Sequence, residues 1–468
     1  MNAAVLTLLL TQAIAIPYNT FDGEGFPACH NVSAIVQPSS VDEMVEIVKS
    51  AASSNTPLRA SGKSHMWYDT MCSDDPSTII MQTERVHGIT NFDLSGGSVM
   101  IEAGVTFFEL ADYLHANGAS IGYALVNWNM TIAGAIAMGA HRSSLRETSM
   151  VAAGALKIHI IDGNGTIQEI VRDDNNDDWL AASTSLGLLG PIARVKFQIY
   201  PDFKVYAQQK TLSESDVLDG DIYGLIAPYA TANLWAMVAV YSKSTFSITS
   251  FEANTALGLL NSGKYLATSN MLAENLFFGI WEAPNFHDKT TDSAILEWPV
   301  YGWNYDVLIG GLYPDQLPEW DYHLNAYTLE LAIPVTLANA LLKRVRALFD
   351  AELAKGIVMT ATYRSGINIK FGRPADWSKG AIMFDFPAFR PTVGDNLRFN
   401  EPFYHNLATT IINEFPCRPH WTKNTRDVLT QSVKNLEPDH LARFKAVREK
   451  FDPKGIFKSV VGEIIGVV

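Results

Sequence analysis

The chain has 468 residues, 47% hydrophobic and 18% charged, an ordinary folded composition on a length that asks for more than one core. Its formal net charge of -14 argues against nucleic acid or an anionic membrane surface as partner. Past the N-terminus nothing approaches the ~18–20 continuous apolar residues of a membrane helix, so no transmembrane segment is expected.

Residues 1–15 are apolar and end in the small-x-small pattern Ala13-Ile14-Ala15, which reads as a secretory signal over residues 1–16. No positive side chain precedes the apolar run, so a buried opening helix or strand is the competing reading. Cys29, Cys72 and Cys417 cannot all pair internally. In a secreted chain Cys29 and Cys72, in loops near the edge of one domain, are the expected bridge. The competing reading is three buried thiols, and the competing location is intracellular or within the lumen of the secretory pathway. Asn31, Asn129 and Asn164 head Asn-x-Ser/Thr glycosylation triplets, and Asn129 is the least suited because it lies inside a motif described below.

In chain order, a short strand runs into Pro38, and Ser39 or Ser40 caps a helix with Val41, Met44, Val45 and Val48 on one face. A strand at 58–60 completes a β-α-β unit. It feeds the loop Ser61-Gly-Lys-Ser-His65, whose exposed N–H groups suit an anion that the histidine can touch. Residues 98–104 alternate as a strand, and 106–117 form a helix that Gly118 stops. Between 126 and 144 small residues recur where an element wants bulk, among them Ala133, Gly134 and Gly139. Such a stretch lets a backbone approach a ligand, or two helices pack closely. Strands at 155–161 and 167–171 flank the hairpin turn Asp162-Gly-Asn-Gly165. A third Gly-rich stretch, 184–194, holds Gly187, Gly190 and Ile192 and leads into a strand over 195–200. No Gly-x-Gly-x-x-Gly fingerprint follows a strand, which disfavours a dinucleotide fold of the Rossmann kind.

From about Pro201 strands mix with long helices. Residues 335–353 read as an amphipathic helix. Residues 360–363, 367–371 and 381–386 read as extended segments of a sheet that walls a pocket. Residues 439–457 read as a helix ending at Asp452-Pro-Lys-Gly455. No metal site is read from the chain.

Together these stretches resemble the vanillyl-alcohol-oxidase flavoprotein superfamily, in its sugar-1,4-lactone and alditol oxidase branch, from about residue 30 to 460. Gly62-Lys-Ser-His65 is similar to the branch's Gly-x-x-His loop. Thr131-Ile-Ala-Gly-Ala-Ile-Ala-Met-Gly-Ala-His141 looks like its pyrophosphate loop, and Leu186-Gly-Leu-Leu-Gly190 like the loop that closes over the flavin. Arg418-Pro-His-Trp-Thr-Lys423 matches its most specific signature, and 451–457 its C-terminal phrase. The resemblance implies an α+β chain. An FAD-binding domain of two small α/β subdomains spans 30–202. A substrate domain with a mixed or antiparallel sheet flanked by helices spans 203–430, and a segment over 431–468 returns to the first domain. FAD is the implied cofactor. Arg59, Ser61, Gly62, Lys63, Ser64, Thr131, Ala133, Gly134, Gly139, His141, Gly187, Gly190 and Ile192 lie around it, and His65 is a possible covalent anchor.

Hydride transfer leaves negative charge on its acceptor, so a cation beside the ring is needed, with Lys423 first and Lys370 second. The alcohol proton needs a base, with His420 first and Asp385 as runner-up. Glu330 matches an acidic site residue of the branch, though a structural carboxylate is an equal reading. The branch's Glu-x-Arg lines up with Asn368-Ile-Lys370, an amide and a point charge in place of a carboxylate and a fork. Its His-x-Thr lines up with Asp385-Phe-Pro387, and Tyr363-Arg364 offers another arginine. The flavin half is therefore retained and the substrate half rebuilt. The expected activity is oxidation of a CH–OH group of a sugar-like small molecule, with O2 as acceptor. A flavin oxidase of an aromatic or other alcohol, and a flavin-fold binding protein without turnover, are the competing readings.

Overall fold

The computed structural model describes residues 16–19, 28–122, 129–143, 145, 150–207, 218–226, 235–238, 286–288, 293–295, 300–307, 326–355, 367–372, 377–386, 388–389 and 401–468. The leader, the expected extended segment at 360–363 and Arg364 lie outside them.

The first lobe is a four-stranded sheet in the order β1-β2-β4-β3. Its strands are β1 (Ile16–Asn19), β2 (Ala28–Val36), β3 (Leu58–Ser61) and β4 (Thr78–Gln82). Strands β2 and β3 both run parallel to β4, which lies between them, and β1 adds antiparallel to β2. Helix α1 (Val41–Ser54) covers one face through Val41, Met44 and Val48, and Ser40 caps it by accepting from the Glu43 N–H at 3.2 Å. Cys29 and Cys72 are joined in a disulfide, and Cys29 lies within β2, not in a loop.

The second lobe is an antiparallel five-stranded sheet in the order β5-β6-β9-β7-β8. It comprises β5 (Ile89–Asp93), β6 (Ser98–Glu102), β7 (Ala155–Ile161), β8 (Ile167–Val171) and β9 (Ile192–Gln198). Helices α2 (Phe107–Ala116), α3 (Ile132–Ala137) and α4 (Asp177–Ala182) pack on it. Thr106 and Glu109 form a reciprocal capping box at the start of α2. The small-residue stretch resolves as α3, six residues long and capped by Thr131. The turn from β7 to β8 is tied by Asp162, which accepts from the N–H groups of Asn164 and Thr166 at 2.9 Å.

The third sheet is antiparallel, in the order β10-β12-β13-β11-β14. Its members are β10 (Trp235–Val238), β11 (Glu330–Pro334), β12 (Ile367–Gly372), β13 (Ala381–Asp385) and β14 (Arg418–Pro419). Helices α5 (Ala338–Ala354) and α6 (Glu401–Glu414) flank it in a separate apolar core holding Leu331, Ile333, Phe349, Phe384, Phe403 and Leu407.

Helix α7 (Arg426–Ser432) follows β14. The tail helix α8 (Pro438–Phe451) ends with Asp452 as its C-cap, at the stop that the sequence places there. Pro453 cannot continue a helix, and the Asp452 carboxylate instead accepts from the N–H groups of Ile456 and Phe457 at 2.9 Å. Ile456 then accepts from the Leu58 N–H at 2.8 Å, pinning the tail to β3, before a short α9 (Val460–Ile464).

Candidate active site

The loop after β3 is held from the N-terminal side. Tyr18 on β1 donates its buried hydroxyl to Ser61 Oγ at 2.8 Å and also contacts Ser64 Oγ. Burial raises the Tyr18 phenol above its ordinary value, so it remains a donor. Ser64 sits at φ +55°, a left-handed conformation that a non-glycine residue keeps only when its surroundings impose it. Lys63 pairs with Glu84 at 2.6 Å, and His65 is half-buried.

Two stretches distant in sequence close on this loop. A Cβ on Gly62 would stand 2.2 Å from Thr131 Oγ1, so the loop lies directly on the first turn of α3 with no side chain between them. Thr131 Oγ1 accepts from the Gly134 N–H at 3.3 Å, and Ala133 is buried. Gly187 is left-handed at φ +65°. Its carbonyl and that of Leu186 receive Arg59 Nη1 and Nη2 at 2.8 and 2.9 Å, while Arg59 Nε donates to the Met71 carbonyl at 2.9 Å. Arg59 is thus sealed inside as a clamp between two loops, and burial pushes its guanidinium down to about 10. A Cβ on Gly190 would meet the Ile161 carbonyl oxygen at 2.0 Å. Ile192 has its side chain in the core of the second lobe. At Gly62, Gly139 and Gly187 an added Cβ would meet the side chains of Thr131, Thr184 and Arg59 respectively, so these stretches pack closely on their neighbours only because the three positions are glycine.

On the facing sheet, register assembles the acids. Asp385 on β13 stands opposite Glu330 on β11 and opposite Asn368 on β12. Two carboxylates in direct cross-strand register repel unless cations lie between them. Two do. Lys423 Nζ donates to Glu330 Oε2 and to Asp385 Oδ2, both at 2.7 Å, and Lys370 Nζ reaches the same oxygens at 3.0 and 3.4 Å. Thr328 donates to the other Asp385 oxygen at 2.6 Å.

The environment divides the group. Burial alone would raise Glu330, but Lys370, Lys423 and His141 outweigh it and hold its carboxyl well below the usual range. Burial likewise opposes the charge on Lys423, yet Asp385 and Glu330 keep it above an ordinary lysine. Lys370 is more deeply buried and has the longer contacts, so burial wins and its ammonium is pushed down. Lys423 is therefore a fixed cation, and it is the more open of the two, 19% exposed against 5%.

His141, four residues past α3, donates from Nε2 to Glu330 Oε1 at 2.5 Å, and its Nδ1 lies 3.2 Å from the Arg142 carbonyl. The stretch that follows α3 is thereby bonded to the third sheet. His420, just after β14, stacks edge-on against His141 with ring centres 5.2 Å apart. Its Nδ1 accepts from the backbone N–H of Thr422 at 3.2 Å and from Thr422 Oγ1 at 3.1 Å. The basic lone pair that a proton acceptor needs is thus already engaged. Burial also holds the ring well below the usual imidazole value, so it stays neutral. His141, Glu330 and His420 are the residue types of a metal centre and cluster within 4.8 Å. Two ammonium groups on Glu330 and a neutral His420 with Nδ1 occupied are poor ligands for a cation.

Several members carry no separate signal in the sequence. Asn424 donates to the carbonyls of Glu330 and His420 at 2.7 and 2.8 Å, and Tyr68 donates to that of Thr328 at 2.7 Å. Ser143 accepts from the Phe371 N–H at 3.1 Å, and Arg426 grips Asp69 and Asp74 beside the disulfide. Adjacency to Lys423 and Glu330 was the available clue for Asn424 and Thr328. The Asn368 side chain, Tyr363, Arg364 and Pro387 lie outside what is described.

Residues 32–170 match the family described as FAD binding domain, and residues 385–463 match D-arabinono-1,4-lactone oxidase. The chain is 23% identical to L-gulonolactone oxidase of Mus musculus over 90% of its own length and 92% of the relative's. It is 21% identical to L-gulonolactone oxidase 2 of Arabidopsis thaliana over 92% and 80%. It is 26% identical to D-arabinono-1,4-lactone oxidase of Saccharomyces cerevisiae over 39% and 35%. Among solved structures it is similar in fold to a solvent-stable cholesterol oxidase, with a TM-score of 0.67, 14% identity and coverage of 96% and 97% of the two chains.

Proposed function

We propose that this chain, a member of the vanillyl-alcohol-oxidase-type FAD-binding flavoproteins, oxidises a CH–OH group of an aldonolactone, alditol or related sugar, with O2 as acceptor and H2O2 as second product. The observation that carries the reading is the Glu330–Lys423–Asp385–Lys370 cluster bonded through His141 to the flavin-assigned stretch. FAD, when bound, supplies the two-electron acceptor for the hydride that leaves the substrate carbon. The loops at Ser61–His65, Thr131–Gly139 and Leu186–Gly190 hold it, and His65 is the proposed covalent anchor. Lys423 supplies positive charge that needs no proton at the moment of reaction. The substrate hydroxyl proton passes to the coupled carboxylate–lysine group, which titrates as a unit, and the carbonyl forms as both leave.

The test is a peroxide-coupled screen of aldonolactones, alditols and aromatic alcohols. Turnover of a lactone or alditol is expected, with Lys423→Met losing on the order of 10²–10³ in kcat. A colourless purified protein, or turnover of aromatic alcohols alone, overturns the reading. Acid precipitation checks His65: flavin on the pellet that His65→Ala releases supports the anchor.

A secretory route belongs to the same proposal. The Cys29–Cys72 disulfide favours an oxidising compartment, and Ala15 directly precedes β1. Asn164, exposed in the hairpin turn, is the proposed glycan acceptor. N-terminal sequencing and a glycosidase mobility shift of the native protein test both.

A further inference from the structure

The geometry points to His420 as a fixed hydrogen-bond donor to the substrate's reacting oxygen through Nε2–H, and not as the base. The inference rests on the oxidase reading for its substrate, but on local geometry for the ring's state. A backbone N–H can only donate. The 3.2 Å bond from Thr422 N to His420 Nδ1 therefore fixes Nδ1 as an acceptor. In a neutral imidazole the proton is then on Nε2. The main chain on both sides is tied, the His420 N–H donating to the Glu330 carbonyl at 3.1 Å and the His420 carbonyl accepting from Asn424 Nδ2 at 2.8 Å, and rotation of the ring would break both Thr422 contacts to Nδ1.

Nε2 itself makes no hydrogen bond with any described residue. It is also absent from the sealed, partnerless atoms, which among the described residues are His159 Nε2, Asn304 Oδ1 and Arg448 Nε. A half-buried ring with one nitrogen anchored and the other open presents a donor to whatever enters. The surroundings maintain this state. Glu330 on β11 favours the imidazolium, whereas His141, Lys423 and Lys370 disfavour it, and burial disfavours it most. Asp385 on β13 stands beyond the lysines. As the substrate C–O bond becomes C=O and its proton departs, negative charge gathers on the oxygen. A preorganised neutral donor stabilises that charge without entering the proton balance.

The test joins nitrogen NMR with kinetics on the flavin-loaded protein. With histidine labelled at both ring nitrogens, the resonances lost in His420→Gln and in His420→Asn identify the ring. They are expected to show Nε2 protonated and Nδ1 bare from about pH 6 to 9. His420→Gln keeps an N–H donor at nearly the same reach and is expected to stay within about 10-fold of wild-type kcat. His420→Ala is expected to lose about 10²-fold in kcat with KM little changed and flavin content intact. The pH profile of kcat/KM should keep its acid limb in His420→Gln. A protonated Nδ1, an imidazolium titrating in that range, or equal losses in His420→Gln and His420→Ala overturns the assignment. If no sugar-like substrate turns over, the oxidase reading fails while the NMR result still decides the ring's state.

Discussion

Replacing Glu330 with Gln keeps the shape of the site and removes the charge on which it is built. Glu330 is 1% exposed and accepts from Lys423 at 2.7 Å, from Lys370 at 3.0 Å and from His141 at 2.5 Å. At an effective dielectric near 20, a contact of that length carries roughly 6 kcal/mol of gross attraction per lysine. Desolvation cancels most of it while the cluster is whole. With Gln, one amide N–H₂ faces an ammonium or an imidazole, and two buried cations share a single carboxylate, Asp385. The expected loss of stability is ~3–5 kcal/mol. It should appear in urea unfolding followed by tryptophan emission and flavin fluorescence, and Lys370→Met should recover part of it. The sign with pH follows from the depressed carboxyl. Glu330 in the fold lies below its unfolded value of about 4.3, so its contribution is fully present above that value. It is lost as pH falls through the folded value. The deficit of Glu330→Gln should therefore be level from about pH 5 to 8 and shrink only in stronger acid. A loss under about 1 kcal/mol, or coupling to Lys370→Met under about 0.5 kcal/mol, would refute the charge-cluster account.

Tyr18→Phe removes the hydroxyl that holds Ser61 and the left-handed Ser64. It should cost ~1 kcal/mol, read as a lower urea midpoint, with the far-UV spectrum unchanged. Gly190→Ala places a Cβ 2.0 Å from the Ile161 carbonyl at φ +124° and should leave little soluble flavoprotein, whereas Gly118→Ala, with nothing within 4 Å, should lose only its left-handed strain of about 1 kcal/mol. Opening the Cys29–Cys72 bridge by double serine substitution should destabilise the first lobe by up to ~4 kcal/mol, given the 43-residue separation. The loss should be seen as a lower melting temperature that reductant no longer changes.

What the chain spells locally could be read locally. Ser40 and Thr106 announce helix starts, Asp162-Gly-Asn-Gly a hairpin, and the Gly62–His65 loop and the Arg418–Lys423 hexapeptide a flavin protein, because each depends on neighbours within a few residues. Lys423, Lys370, Asp385 and Glu330 could be picked out one by one as titratable groups in suggestive company. Their meeting could not, since it joins side chains up to 93 residues apart and depends on strand register, and a one-residue slip of β13 would send Asp385 to the other face. His141 sits in a flavin stretch by sequence and bonds Glu330, 189 residues away, in space. The role of His420 turned on which nitrogen Thr422 occupies, a distance of 3.2 Å that no spacing in the chain encodes. Sequence determined which groups were available to handle charge, because composition and turns are short-range properties. Only the packed sheet decided which of them face one another, and hence which stay charged, because electrostatic environment is set by distance and burial in three dimensions.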